Sequence, residues 1–319
     1  MTIATASRVV QRAPPVLLVA AGAALWATDG WLRIDLVGEL PAAVIVFMEH
    51  AILVLVTMPL WRSAIQATRR FAAGDWISLL IIGVGASAAA TVLFTMAISN
   101  DFLTTVLLQK LQPLVAVLAA TIILGERLKP RYWLYFVTAA AGAWIMTFPD
   151  PLGVSASELG PALLAVGAAS LWALGTVLGR RMAPVTTPSQ LMTLRFAVGM
   201  PAAAIIVSMR GEWGTLSTMT ASILGNLIVL ALVPGLLAIW IYYRGLLRTP
   251  ASVATLAELA FPLATVLIGY FAFDRTLDGS QWIGLFVLVG AITALGLANP
   301  KEKDAYGIKL TRDRAPVDK

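Results

Sequence analysis

The chain has 319 residues, 59% of them hydrophobic and only 13% charged. With a mean hydropathy of +0.84 it falls far below the roughly 25% charged share of a soluble domain and reads as an integral membrane protein. The absence of cysteine excludes a disulfide framework, a thiolate metal site and a thiol nucleophile. The surplus charge of +6 would suit an acidic partner or nucleic acid, but its distribution along the chain fits membrane topology better.

A helix needs about 20 apolar residues to cross a hydrocarbon core of about 30 Å. After a cytoplasmic N-terminal stretch, 1–13, breaking the chain at its charges and Pro/Gly clusters predicts ten such spans: 14–32, 41–61, 75–98, 102–124, 131–149, 159–179, 189–209, 222–243, 251–273 and 281–298. The loops between them are short and leave no room for a soluble domain. The tail 299–319, with its run KEKDAYGIKLTRDRAPVDK, reads as a solvated cytoplasmic end. Arg8 and Arg12 ahead of the first apolar run also resemble a cleaved signal peptide, a reading that an internal repeat opposes. GAALWA (22–27) recurs as AASLWA (168–173), pairing Trp26 with Trp172. LQPLVAVL…LKPRYW recurs as AFPLATVL…LDGSQW, pairing Pro113 with Pro262 and Trp133 with Trp282.

Two halves follow, 14–150 and 151–298, each of five spans. An odd span count forces the second half to enter the membrane from the other side, an arrangement common in secondary transporters. With the N-terminus in the cytoplasm, eighteen basic residues fall on the inner side and three, Arg33, Arg210 and Arg275, on the outer. That bias places both termini in the cytoplasm. The expected fold is an all-α membrane protein of ten helices in two inverted repeats.

Two basic residues, Lys110 and Arg195, are left inside spans. A charge near the bilayer centre costs about 2.5–3.5 kcal/mol on insertion scales, so it faces the bundle interior and finds a partner or water. The acids at such positions are Glu49 in span 2 and Glu258 in span 9, with Asp29 nearer the outer end of span 1. In the repeat alignment Glu49 corresponds to Arg195 and Lys110 falls beside the counterpart of Glu258. Each half thus holds one acid and one base with signs swapped. Depths counted at about 1.5 Å per residue predict a Glu49–Lys110 pair in the outer half and an Arg195–Glu258 pair in the inner half. Packing ion pairs that only fix helix register are the alternative. His50, the one histidine, either hydrogen-bonds across helices or carries a proton.

Pro113 and Pro262 remove backbone donors inside spans and either open carbonyls toward a cavity or form packed kinks. Trp26 and Trp172 are cavity walls or, equally, interface-belt residues. GVGASAAA (83–90) and TAAAGA (138–143) suit close helix packing.

The two halves, the LQPLVAVLAATIILGERL stretch ending span 4 and its echo AELAFPLATVLIGYFAFDRTL ending span 9 resemble the EamA family of the drug/metabolite transporter superfamily. The resemblance covers residues 14–298 and implies a transporter in the inner membrane. The family's Gly-Glu pair stands as Gly125-Glu126 in the first half, and the second half departs from it with Phe273-Asp274-Arg275. Polar residues in spans 2 and 4, where many relatives are apolar, point to a polar or zwitterionic, amino-acid-like solute. Lys110 would meet a carboxylate or phosphate, Glu49 an ammonium, and Gln109 and Gln112 neutral groups, with Trp26 and Trp172 completing the site. His50, Glu258 and Arg195 would couple protons or gate. The other readings are an organic-anion or phosphate-ester exchanger and a non-transporting sensor or scaffold. Zinc, nucleotide and nucleophile-elbow motifs are absent from the sequence, so neither an enzyme nor a cofactor is expected. The expected partners are a small solute and the bilayer, not nucleic acid, with a homodimer left open.

Overall fold

The computed structural model describes residues 14–100, 105–106, 108–124, 131–147, 156–249, 254, 257–258, 260–273 and 278–298, and among them every regular element is helical. Helix α1 (Pro15–Val37) starts on a proline, whose missing N–H costs nothing at a first turn, and ends at Gly38. It runs five residues past the expected end at 32. Charges do not break the span here, because Asp29 and Arg33, four apart, pair on one helix face. Helix α2 (Ala42–Val56) gives way to a 3-10 turn through Pro59 and then to the short α3 (Trp61–Thr68), and this pair bends by 56°.

Helix α4 (Ala73–Ile98) opens on a box in which the Asp75 carboxylate accepts from the Ala72 N–H. Its centre, Ile81–Ala89, is wound as a π-helix. Next come α5 (Gln112–Leu124), α6 (Arg131–Thr147) and α7 (Ala156–Arg181). Helix α8 (Pro188–Arg210) is capped at both ends. Thr187 and Gln190 exchange side-chain to backbone hydrogen bonds at its start. At its end Gly211 takes φ 69°, the left-handed turn that glycine adopts without steric cost. Helix α9 (Ala221–Leu246) has a second π-segment, Ala231–Leu237. Helices α10 (Ala260–Phe273) and α11 (Gly279–Ala298) complete the described set.

The π-segments of α4 and α9 begin 150 residues apart, at Ile81 and Ala231, close to the repeat offset, so the two halves are widened at corresponding points. Pro113 and Pro262 also correspond. They stand at the second position of α5 and the third of α10. Both fall in a first turn, where an absent donor costs little.

Five helices (α1, α4, α7 from Leu159, α8 and α9) are long and apolar enough to cross a bilayer, and the bent α2–α3 pair makes a sixth if counted as one span. The chain is thus a multi-pass membrane protein. The four remaining expected spans each hold a helix, α5, α6, α10 and α11, although α5 and α10 measure only 13 and 14 residues.

Helix contacts exchange between the halves. α1 packs chiefly on α9 and α10, while its counterpart α7 packs on α4 and α5. α2 packs on its own counterpart α8, and α6 on its counterpart α11. Close approach explains two glycines in these seams. A Cβ on Gly22 would lie 2.8 Å from Tyr242 Cβ and 2.9 Å from the Ala238 carbonyl oxygen of α9. A Cβ on Gly142, within TAAAGA, would lie 2.8 Å from the backbone nitrogen of Leu288 on α11.

Candidate functional site

A cavity lies between the helices, with about 1160 Å³ of atom-free space including its open mouth. α1 contributes Trp26, Asp29 and Arg33, α2 contributes Glu49 and His50, and α4 contributes Ser87, Thr91 and Phe94. Gln109 and Gln112 come from the start of α5, and Trp172 and Thr176 from α7. α8 supplies Arg195 and Phe196, α9 supplies Pro234, Gly235, Tyr242 and Tyr243, and Glu258 and Phe261 lie at the start of α10. α6 and α11 add no described lining residue. Every nominated site residue whose side chain is described therefore reaches one cavity. Lys110 has its backbone in the 3-10 turn Gln109–Leu111 ahead of α5, and its side chain lies outside the described residues, as do Gly125, Glu126, Asp274 and Arg275.

The described partnerships include ones the sequence did not predict. The Glu49 carboxylate accepts from Arg33 Nη2 at 2.9 Å; the expected Glu49–Lys110 pair lies outside the described residues. Arg33, placed by sequence in an outer loop, is 1% exposed. Its Nε and Nη2 donate to the two Asp29 oxygens at 2.8 and 2.7 Å, and its Nη1 donates to Thr95 Oγ1 at 3.2 Å. One guanidinium thus ties α1 to α2 and α4 and neutralises two carboxylates in part. Burying such a cluster is tolerated because its charges are paired and bonded.

Arg195 and Glu258 line the cavity together, but their described hydrogen bonds run to two adjacent tyrosines. Tyr242 OH donates to Glu258 Oε1 at 2.5 Å, and Arg195 Nη1 donates to Tyr243 OH at 3.3 Å. Neighbouring residues project about 100° apart on a helix, so α9 offers one hydroxyl to each charge. The other Arg195 bonds end on α4, from Nε to Ser87 Oγ at 3.0 Å and from Nη2 to the Ala86 carbonyl at 2.8 Å. Both acceptors sit in the π-segment.

His50 is held at both ring nitrogens. Nδ1 lies 2.8 Å from the Val46 carbonyl, which only accepts, and Nε2 lies 2.9 Å from Ser87 Oγ. In a neutral ring Nε2 then accepts the Ser87 proton while Ser87 Oγ accepts from Arg195. The ring rests against Gly199, where a Cβ would lie 2.6 Å from His50 Cδ2. This is the cross-helix hydrogen-bonding arrangement. Ser87, Thr91 and Thr95, spaced by four, form a polar stripe on α4, and each threonine hydroxyl donates to the carbonyl one turn back.

The walls are aromatic. Trp26 packs on Tyr242 with ring centroids 4.6 Å apart, and Trp172 meets Phe94 edge-on at 5.2 Å. These matched tryptophans line corresponding sides of the cavity. Gln109 is 6% exposed, and its amide nitrogen has no hydrogen-bond partner among the described residues.

Sequence reasoning missed Arg33, the α4 stripe and the phenylalanine and tyrosine walls. The Asp29/Arg33 spacing of four and the Ser87/Thr91/Thr95 spacing were the available signals. The aromatics had none, because an apolar residue in a span looks the same whether it faces lipid, core or cavity.

The sequence model of the EamA-like transporter family matches residues 13–148 and again 159–297. The riboflavin transporter ImpX of Fusobacterium nucleatum is 28% identical over 294 residues, spanning 89% of this chain and 97% of that one. The uncharacterized transporter YwfM of Bacillus subtilis is 25% identical over 62% of this chain and 66% of its own. A solved crystal structure of another protein, 18% identical, superposes with a TM-score of 0.64 over 91% of this chain and 99% of that chain, a likeness of fold.

Proposed function

This chain belongs to the EamA-like transporter family, and on that premise we propose that it is a secondary transporter moving a small polar metabolite across the inner membrane by alternating access. The cavity carries this reading: it joins aromatic walls to both signs of charge and to a Gln109 amide without a partner among the described residues. Such a mixture suits a solute with a flat apolar body and polar edges. Ten spans in two inverted halves, with both termini cytoplasmic, fit the exchanged helix contacts and the charge bias. Energy would come from a solute or proton gradient, and no covalent step is required.

Two solute classes follow. An amino-acid-like zwitterion fits the three carboxylates and two guanidinium groups among the described lining residues. A planar heterocycle fits the tryptophan and tyrosine walls, and the Fusobacterium relative named as a riboflavin transporter makes riboflavin its first member to try. The Asp29–Arg33–Glu49 cluster, which ties three helices at one end of the cavity, would act as a gate.

Purified protein in proteoliposomes should accumulate radiolabelled riboflavin or one of a panel of amino acids saturably, in excess of protein-free vesicles. Faster uptake into vesicles preloaded with an organic anion would favour the exchanger. Linear, protein-independent uptake of every panel solute in both directions would sink the reading.

A further inference from the structure

We propose that Arg195 is an anion receptor, so that the transported solute carries a carboxylate or phosphate which docks on its guanidinium. This rests on the cavity being the solute site. The two arginines lining that cavity are committed differently. Arg33 spends its hydrogen bonds on Asp29 and Glu49, and its charge is compensated within the cluster. Arg195 makes three described hydrogen bonds, and all three end on neutral oxygens: Ser87 Oγ, the Ala86 carbonyl and Tyr243 OH. These acceptors orient the group without cancelling its charge. Glu49, which also lines the cavity, is already bonded to Arg33.

A guanidinium has five N–H donors, so three bonds leave one on Nη1 and one on Nη2 for a ligand, and guanidinium donors suit carboxylate and phosphate oxygens. The support is rigid. Ser87 and Ala86 belong to the π-segment of α4, and Gly83 in the same segment allows α8 so close that a Cβ there would lie 2.4 Å from Val198 Cγ1. A second observation points the same way. Gln109, 6% exposed, also lines this cavity, and its amide nitrogen has no partner among the described residues. A solute with an acidic group presents acceptors to the Arg195 guanidinium, whereas an ammonium would be repelled by it.

The test compares solutes that differ only in that group: nicotinate against nicotinamide, and riboflavin 5′-phosphate against riboflavin. Equilibrium binding of the radiolabelled probes to detergent-purified protein should favour the acid of at least one pair by tenfold or more. The pair that discriminates identifies carboxylate or phosphate. Arg195→Gln should abolish that ratio while leaving the neutral member within about threefold, and Arg195→Lys should retain most of it. A wild-type ratio near one for both pairs overturns the proposal and needs no variant. So does a ratio that survives in Arg195→Gln, or a loss of acid and neutral probe alike in a folded Arg195→Gln protein. Proteoliposome flux is scored separately. A tenfold binding preference without saturable flux would remove the transport reading and leave the receptor standing, while flux of the neutral solutes without any preference would do the reverse.

Discussion

Replacing Arg33 with methionine keeps much of the side-chain volume and removes the cation that three helices share. The substitution deletes two bonds to Asp29, one to Glu49 and one to Thr95. Breaking a buried ion pair from one side costs about 3–5 kcal/mol because the remaining charge is stranded. Glu49, with a side chain 8% exposed, should account for most of this, whereas Asp29 at 18% keeps some access to water. The expected loss is therefore about 3–5 kcal/mol. Unfolding in mixed micelles, followed by tryptophan fluorescence, would measure it. Adding Glu49→Gln to Arg33→Met should recover at least half of the loss, since the stranded charge is gone. If Arg33→Met unfolds within about 0.5 kcal/mol of wild type, or if Glu49→Gln deepens the loss, the cluster does not hold the helices together and the gate assigned to it fails.

Ser87→Ala removes the hydroxyl shared by His50 and Arg195 and should cost about 1–3 kcal/mol; an unfolding curve superimposable on wild type would refute the shared bond. Gly22→Ala should separate α1 from α9, because its Cβ meets backbone as well as side chain; it should destabilise by about 1–3 kcal/mol and slow transport. Gly85→Ala, whose Cβ would meet nothing closer than 3.6 Å, is its matched control and should be neutral in both assays. Gly211→Ala forces a side chain into the left-handed region at the end of α8 and should cost about 1–2 kcal/mol without changing solute affinity.

The hydrophobic runs and the duplicated Trp and Pro positions made the helices and their pairing legible, because membrane helices must be long and apolar and repeats keep their spacing. Glu49, His50, Gln109, Gln112, Arg195 and Glu258 were legible as cavity candidates for a related reason, since polar groups in such runs are too costly to face lipid. Their partners were not. Matching signs by depth proposed Glu49 with Lys110, whose side chain lies outside the described residues; it did not propose Arg33, which bonds Glu49 from α1, because depth says nothing about rotation around a helix axis. The π-segments were hidden as well. GVGASAAA suggested close packing, and Gly83 does pack closely, but the altered winding that aims Ser87 and the Ala86 carbonyl at Arg195 depends on the whole bundle.

The exchanged contacts of α1 have a consequence for how the protein is made. Its chief neighbours are α9 and α10, and 183 residues separate Val37 from Ala221, where α9 begins. A ribosome adding about 5–20 residues per second needs roughly 10–40 seconds to cross that gap. Throughout that interval the newborn first helix, carrying Asp29 and Arg33, stands in the lipid with its principal docking surface not yet synthesised. The pairing of those two residues within one helix, four positions apart, lets the segment neutralise its own charge while it waits, so the same contact that later anchors the cavity first makes insertion tolerable.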